Sequence, residues 1–325
     1  MNILITSASR KVSLVKAFQR ALREEGKGNV IAIDAVPRSA ALFFADIAYT
    51  VESGTDTKYL KTILKICSTH DVKLIIPTRD EELPFFASHI EHFQKSGITI
   101  MVPTLQTVKI CQDKYHFNQF CQNNDFEIPH TFNSVEQIKQ SDYPLFIRGR
   151  IGKGSVNAIK INSKDELEAT IRKLPDPVIQ TYIKDDEFTV DLFSDFNGIV
   201  LTVVPRQRLS IYRGESIVSM TSKNWIIINE CIRLAQTLKL IGHNTIQCFY
   251  HNDQVKFIEV NPRYGGGATL GFAAGAFTPQ LLIKLVEGKQ VHPKIGEFID
   301  KYIMLRYSED LFITEQEVNQ FGFYH

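Results

Sequence analysis

The apolar positions of the N-terminal part of the chain switch between two periods. Residues 2–6 form a short apolar run of strand type, whereas residues 11–23 place Leu14, Val15, Phe18 and Leu22 three or four apart, on one face of a helix. The switch then repeats. Residues 29–35 read as strand, 40–45 as helix, 49–51 as a short strand, and 57–69 as a helix that turns Leu60, Ile63, Leu64 and Cys67 inward. Residues 72–77, 81–95 and 98–102 follow as strand, helix and strand. Such alternation predicts a parallel sheet with helices on both sides, ending near Pro103.

Beyond Pro103 the pattern changes. Residues 104–121 read as one continuous helix that carries Lys114 and packs through Tyr115, Phe117 and Phe120. Residues 143–148 and 156–161 are predicted strands around a glycine-rich cationic loop, 149–155, and a helix over 164–173 and a strand over 178–181 complete a small lobe expected to move as a unit. Asn197-Gly198 between residues 188–195 and 199–209 signals a hairpin whose second strand alternates Arg206 and Arg208 onto one face. An apolar helix over 225–238, with Ile226, Ile227, Cys231, Leu234 and Leu238 for its core face, a helix over 278–287 and a strand over 302–306 close the pattern.

The richest stretch is a second hairpin. Residues 245–250 and 255–260 are rich in β-branched and aromatic types, with Asn252 and Asp253 between them. A three-residue loop, 252–254, would pair Gln247 with Glu259 and Phe249 with Phe257, leaving Ile246, Cys248, Ile258 and Val260 as an apolar face. The other face gathers Gln247, Glu259 and Asn261. These are oxygen donors suited to a hard cation such as Mg²⁺, with Mn²⁺ as a substitute. Arg263 follows two residues on, and a planar guanidinium beside a metal suits phosphate oxygens.

Composition narrows the function classes. The 325 residues are 44% apolar, enough for two or three packed lobes, and 37 basic side chains nearly balance 36 acidic ones. No global field draws nucleic acid or a membrane surface, so any anion site is local. Five cysteines without a Cys-x-x-Cys pair fit neither a disulfide framework nor a zinc site, and a reducing cytoplasm is expected. The start of the chain has no basic leader, and no window approaches about 18 uninterrupted apolar residues.

Three loops offer anion contacts. The turn of residues 6–11 joins the first strand to the first helix and carries Ser9, Arg10 and Lys11, but it lacks the Gly-x-Gly-x-x-Gly of a dinucleotide site. A dehydrogenase is therefore disfavoured, although Asp34 ends the second strand. Residues 77–81, with Asp80, lie on the same rim. In the loop 149–155, Gly152, Gly154 and Ser155 are small enough for backbone N–H groups to approach phosphate oxygens.

The string Glu259-Val260-Asn261-Pro262-Arg263-Tyr264-Gly265-Gly266-Gly267 resembles the metal-binding strand of the ATP-grasp ligases, specifically single-module proteins similar to half of a carbamoyl phosphate synthetase large subunit. The resemblance implies an α/β chain with α+β lobes: a Rossmann-like pre-ATP-grasp domain over 1–108, a leading helix and mobile lid over 109–183, and a metal-bearing lobe over 184–325. It implies ATP as a ligand, and two Mg²⁺ held by Gln247, Glu259 and Asn261. Arg263 would contact the transferred phosphoryl group.

Further roles carried over are Lys114 and Arg148 at the phosphates, Gln180, Tyr182 and Ile183 around adenine, and Glu187 at the ribose. Of the alternating arginines, Arg208 is expected in catalysis and Arg206 at a substrate, and Arg10 and Asp80 border the acceptor. One departure stands out, because the family's usual Lys-Pro at the end of the lid strand is Arg148-Gly149 here. The implied activity is an ATP-dependent carboxylate–amine ligase acting through an acyl phosphate on small-molecule carboxylate and amine substrates, with a homodimer compatible. The alternative of another class is a regulator that keeps the nucleotide cleft without turnover.

Overall fold

The computed structural model describes residues 1–152, 158–174 and 176–321. The first sheet is parallel and contains β1 (Asn2–Ile5), β2 (Val30–Asp34), β3 (Ile47–Thr50), β4 (Val72–Ile76) and β5 (Thr99–Ile100), in the order β3-β2-β1-β4-β5. Its strands are nearly all apolar because helices cover both faces. The helix Val12–Glu25 buries Leu14, Val15, Phe18 and Leu22, the stripe read from its spacing. The expected helix over 81–95 is divided at His89, whose ring nitrogen bonds the Phe85 carbonyl at 2.8 Å, giving helices Leu83–Ser88 and Ile90–Lys95.

The single helix expected over 104–121 is likewise two, Leu105–Gln112 and Lys114–Asn123. Asp113 breaks it. Its backbone is extended (φ −105°, ψ 109°), and its carboxylate accepts the N–H groups of Tyr115 and His116 at 2.9 and 3.2 Å, capping the second helix. The same carboxylate binds Arg150 at 2.8 to 2.9 Å. Burial would raise the Asp113 pKa, but this arginine and the cap bonds outweigh it and hold it below the ordinary value.

The second sheet consists of β6 (Thr131–Phe132), β7 (Leu145–Gly149), β8 (Ile159–Ile161) and β9 (Pro177–Thr181), in the order β6-β9-β7-β8. It has its own core of Leu145, Ile147, Ile161, Leu167, Leu174 and Ile179. Gly154 and Ser155 of the loop before β8 lie outside the described residues.

The third sheet is antiparallel: β10 (Asp186–Ser194), β11 (Val200–Tyr212), β12 (Glu215–Thr221), β13 (Gly242–His251), β14 (Gln254–Asn261) and β15 (Ile303–Leu305), ordered β14-β13-β10-β11-β12-β15. The helix Trp225–Leu238 packs on one face, capped by the Asn224 side chain. The chain then returns to the first lobe. Helix Thr278–Val286 buries Leu282 and Ile283 in the same core as Phe18, Leu22 and Tyr264, and Glu25 binds Gln280, Lys284 and Lys289.

Candidate active site

The hairpin of β13 and β14 carries the expected donors, with a different turn. Asn252 (φ 48°) and Asp253 (φ 61°) form a two-residue turn, and Phe249 pairs with Lys256 instead of Phe257. A bulge then adds Ile258 to β14 and restores the pairing of Gln247 with Glu259. The two departures cancel at the site. They also change the packing face, which is Ile246, Cys248, Phe257 and Val260, all at most 1% exposed, while Ile258 is half-buried.

From this strand pair a line of hydrogen-bonded polar side chains runs to the first lobe. Asn261 donates its amide N–H to Glu259 at 3.0 Å, and Arg263 lies 3.4 Å from the Asn261 oxygen. Arg263 also makes two parallel bonds, 2.8 and 2.7 Å, to Asp80 from the first lobe. On the other side Gln247 donates to Glu187 at 3.0 Å, and Arg208 binds the same Glu187 oxygen. Arg208 further reaches the Ser216 hydroxyl and the Gly214 carbonyl.

The second sheet, expected to be a lid, meets this line through Arg148. Residues paired across a ladder share a face, so Phe146, Arg148, Val178 and Gln180 lie together on the side opposite the lid core, and Lys160 joins them through its pairing with Phe146. Arg148 is 6% exposed, donates to the Ile258 carbonyl at 3.0 Å, and lies 3.8 Å from Glu259. Its Nε atom is buried and has no hydrogen-bond partner among the described residues. Burial lowers its pKa, opposed by Glu259 and Glu187. Lys114, from the helix that Asp113 caps, is buried beside them with Nζ 2.9 Å from the Gly152 carbonyl, and burial lowers its pKa against the pull of Glu259.

Gln180 is buried and donates to the Thr131 hydroxyl at 3.0 Å. Tyr182 takes the Lys160 ammonium over its ring at 4.7 Å, and Ile183 is half-buried at the end of the same connection.

Arg206 is a correction. Expected at a substrate, it is instead 2% exposed and bound twice by Asp191, at 2.6 and 3.1 Å, beside the buried His243. Burial would raise the Asp191 pKa, but Arg206 and His243 hold it below the ordinary value. A Cβ on Gly267 would come within 2.6 Å of this guanidinium, so Arg206 supports the glycine run from beneath, with two of its nitrogens committed. Arg10 sits on the rim, 86% exposed, 3.4 Å from Glu215.

Three residues escaped the sequence reading. Glu82 is a buried carboxylate that accepts the N–H groups of Thr78 and Arg79 at 2.7 and 3.0 Å and the Ser7 hydroxyl at 2.8 Å, which shapes the loop delivering Asp80. Burial raises its pKa. The second is Lys160. Arg306 is the third, binding Glu215 at 2.7 Å and the Gly266 carbonyl at 2.6 Å. The signal for Glu82 was Glu in a strand-end loop; for Arg306 there was none.

The model of an ATP-grasp domain matches residues 111–267, and that of a PylC-like N-terminal domain matches residues 3–101. Residues 111–267 are an ATP-grasp domain. The chain is similar to the carbamoyl phosphate synthase arginine-specific large chain of Bacillus subtilis (strain 168), 24% identical over 193 residues, covering 53% of this chain and 18% of that one. With the carbamoyl phosphate synthase large chain of Thermotoga neapolitana it shares 23% identity over 231 residues, 64% of this chain and 21% of that one. The chain thus spans about a fifth of these relatives.

Among solved structures, biotin carboxylase from Campylobacter jejuni superposes with a TM-score of 0.74 at 18% identity, covering 93% of this chain and 74% of that one. L-amino acid ligase from Bacillus licheniformis gives 0.68 at 19%, covering 88% and 74%. At these identities the likeness establishes the ATP-grasp fold.

The donor set fits a hard cation. Among the described residues no three His, Cys, Asp or Glu side chains gather as a metal cluster, and the oxygen donors on this face that could hold such an ion are the Glu259 carboxylate and the side-chain amides of Asn261 and Gln247. Mg²⁺ is commonly held this way, by one or two carboxylates with ligand phosphates and water completing the shell. The Gln247 amide nitrogen is already bound to Glu187, and among the described residues no hydrogen bond reaches its oxygen. Among the described residues no helix is long and apolar enough to cross a membrane.

Proposed function

We propose that this ATP-grasp chain is an ATP-dependent carboxylate–amine ligase working through an acyl phosphate. The observation that carries the reading is the line Asp80–Arg263–Asn261–Glu259, which joins first and third lobes under two buried lid-side cations, Arg148 and Lys114. Two cations withdrawn from water opposite a carboxylate suit a polyphosphate bound with a metal ion.

Lys114 and Arg148 hold the phosphate oxygens, and the lid face of Phe146, Val178, Gln180 and Tyr182 takes the base, with Glu187 toward the ribose. Gln247, Glu259 and Asn261 hold Mg²⁺, which when bound neutralises phosphate charge. Arg263, held in orientation by Asp80, stabilises charge on the transferring phosphoryl group. The acceptor carboxylate oxygen attacks the γ-phosphorus as the bond to ADP breaks; an amine then attacks the acyl carbon, loses a proton and expels phosphate. Between those steps the closed lid keeps water from the acyl phosphate.

A regulator without turnover would leave Arg148 in solvent, and its burial beside Glu259 speaks for the ligase. The five cysteines are free and buried, in keeping with the proposed cytoplasmic setting. The deciding experiment measures ADP release against pooled carboxylates and amines, with mass analysis of the coupled product. Nucleotide binding without acceptor-dependent ADP release across the pools would favour the regulator.

A further inference from the structure

We propose that Arg306 and Arg10 form a seat for the carboxylate of the acceptor beside Gly266, and that Glu215 occupies this seat as an internal stand-in which the acceptor displaces. The proposal rests on the ligase reading for the nature of the acceptor. The seat itself rests on geometry.

Arg306 follows β15, turns one nitrogen to the Glu215 carboxylate at 2.7 Å and another to the Gly266 carbonyl at 2.6 Å. Gly266 is the exposed member of the glycine run, three residues beyond Arg263. Its neighbours are closed from beneath, because a Cβ on Gly265 would meet Thr245 at 2.7 Å and one on Gly267 would meet Arg206 at 2.6 Å. Arg10 reaches the same Glu215 carboxylate from the first lobe at 3.4 Å. Two arginines from opposite ends of the chain therefore converge on one carboxylate, and one of them is anchored to the glycine run that follows Arg263.

Glu215 is delivered by a fixed turn. Arg213 (φ 49°) and Gly214 (φ 78°) connect β11 to β12, and Arg208 pins both sides of Glu215 through the Gly214 carbonyl and the Ser216 hydroxyl. Yet its hold is weak. Glu215 and Arg10 are 52% and 86% exposed, so water screens their attraction, and a ligand carboxylate that adds contacts to the glycine run replaces it readily. Arg306, only 25% exposed, is oriented by its bond to the Gly266 carbonyl and turns its other terminal nitrogen to the carboxylate.

The test titrates L-glutamate, succinate and acetate, with succinamide as the uncharged control, into the full chain by calorimetry in the presence of Mg²⁺ and a non-hydrolysable ATP analogue. Wild type is compared with Glu215→Gln and Arg306→Gln. Emptying the seat of its internal charge should tighten binding of at least one carboxylate about fivefold, and Arg306→Gln should weaken it about tenfold. Equal or weaker carboxylate binding in Glu215→Gln, or no carboxylate binding to that variant, overturns the proposal. Titration of the analogue alone separates the two readings: if it binds all three proteins and the carboxylate pattern fails, only the seat is wrong. If it does not bind, the ligase reading fails, and the carboxylate comparison, repeated without it, still decides the seat.

Discussion

Asp80 and Arg263 are separated by most of the chain, yet they meet through two parallel hydrogen bonds of 2.7 and 2.8 Å, each side chain less than a fifth exposed. The contact fixes the plane of the guanidinium from the opposite lobe. Asp80→Asn keeps the shape but loses the charge-assisted pair, so kcat should fall about 10- to 100-fold with ATP affinity little changed. Steady-state kinetics beside an ATP titration checks this, and equal losses in both would assign Asp80 to nucleotide binding instead.

Glu259→Gln and Asn261→Ala should abolish turnover and leave the fold intact. Both face the cleft, whereas the packing of the hairpin is carried by Ile246, Cys248, Phe257 and Val260 on its other side. Acceptor-dependent ADP release and a melting curve measure the two halves of this expectation. Wild-type turnover with ordinary Mg²⁺ dependence in Glu259→Gln would remove the metal assignment.

ATP with Mg²⁺, and neither NAD nor FMN, should raise the melting temperature. At a concentration of about 100 times the dissociation constant, binding adds about 2.7 kcal/mol to stability. A shift with a dinucleotide alone would point the cleft to a different ligand.

Arg148→Ala should weaken ATP binding severely and Arg148→Lys should retain part of it. The guanidinium is buried with Glu259 at 3.8 Å, so its removal also takes one of the two buried cations from beside that carboxylate. Calorimetric titration of ATP into both variants is the measurement; unchanged affinity in Arg148→Ala would take the residue out of the site.

Lys114 gives ATP binding a pH dependence with a definite sign. Burial depresses its pKa, so raising pH removes its charge before an ordinary lysine, at about 10.4, would lose its own. ATP affinity should fall over that alkaline range, and the fall should be absent in Lys114→Arg. Stability runs the other way: the depressed folded pKa means that the charged amine is disfavoured in the folded chain, and this penalty is relieved as pH rises through it. Affinity measured across alkaline pH for both proteins decides.

The strand pair at the site was legible because a period of two sorts side chains without ambiguity, and Gln247, Glu259 and Asn261 fell on one side even though the turn and the bulge were not foreseen. A bulge leaves no mark in composition. Asp113 was hidden for a related reason: within an apolar-periodic window an aspartate reads as surface, and only its extended backbone shows it to be a cap. Arg206 read as a substrate contact because no local pattern pairs it with Asp191 on the neighbouring strand, which holds it in the interior. The Arg306–Glu215 contact joins residues whose pairing no local pattern encodes.

The core that joins Phe18 and Leu22 to Leu282 and Ile283 bears on how such a chain can be recombined. Each fully buried side chain of this kind is worth about 1.5–3 kcal/mol, so a first lobe exchanged along its sequence boundary would arrive with a bare hydrophobic wall. A transplant meant to alter acceptor choice would have to carry the helix Thr278–Val286 with it, together with the Glu25 partners Gln280, Lys284 and Lys289. The inheritable unit is therefore discontinuous: two segments from opposite ends of the chain travel together or not at all.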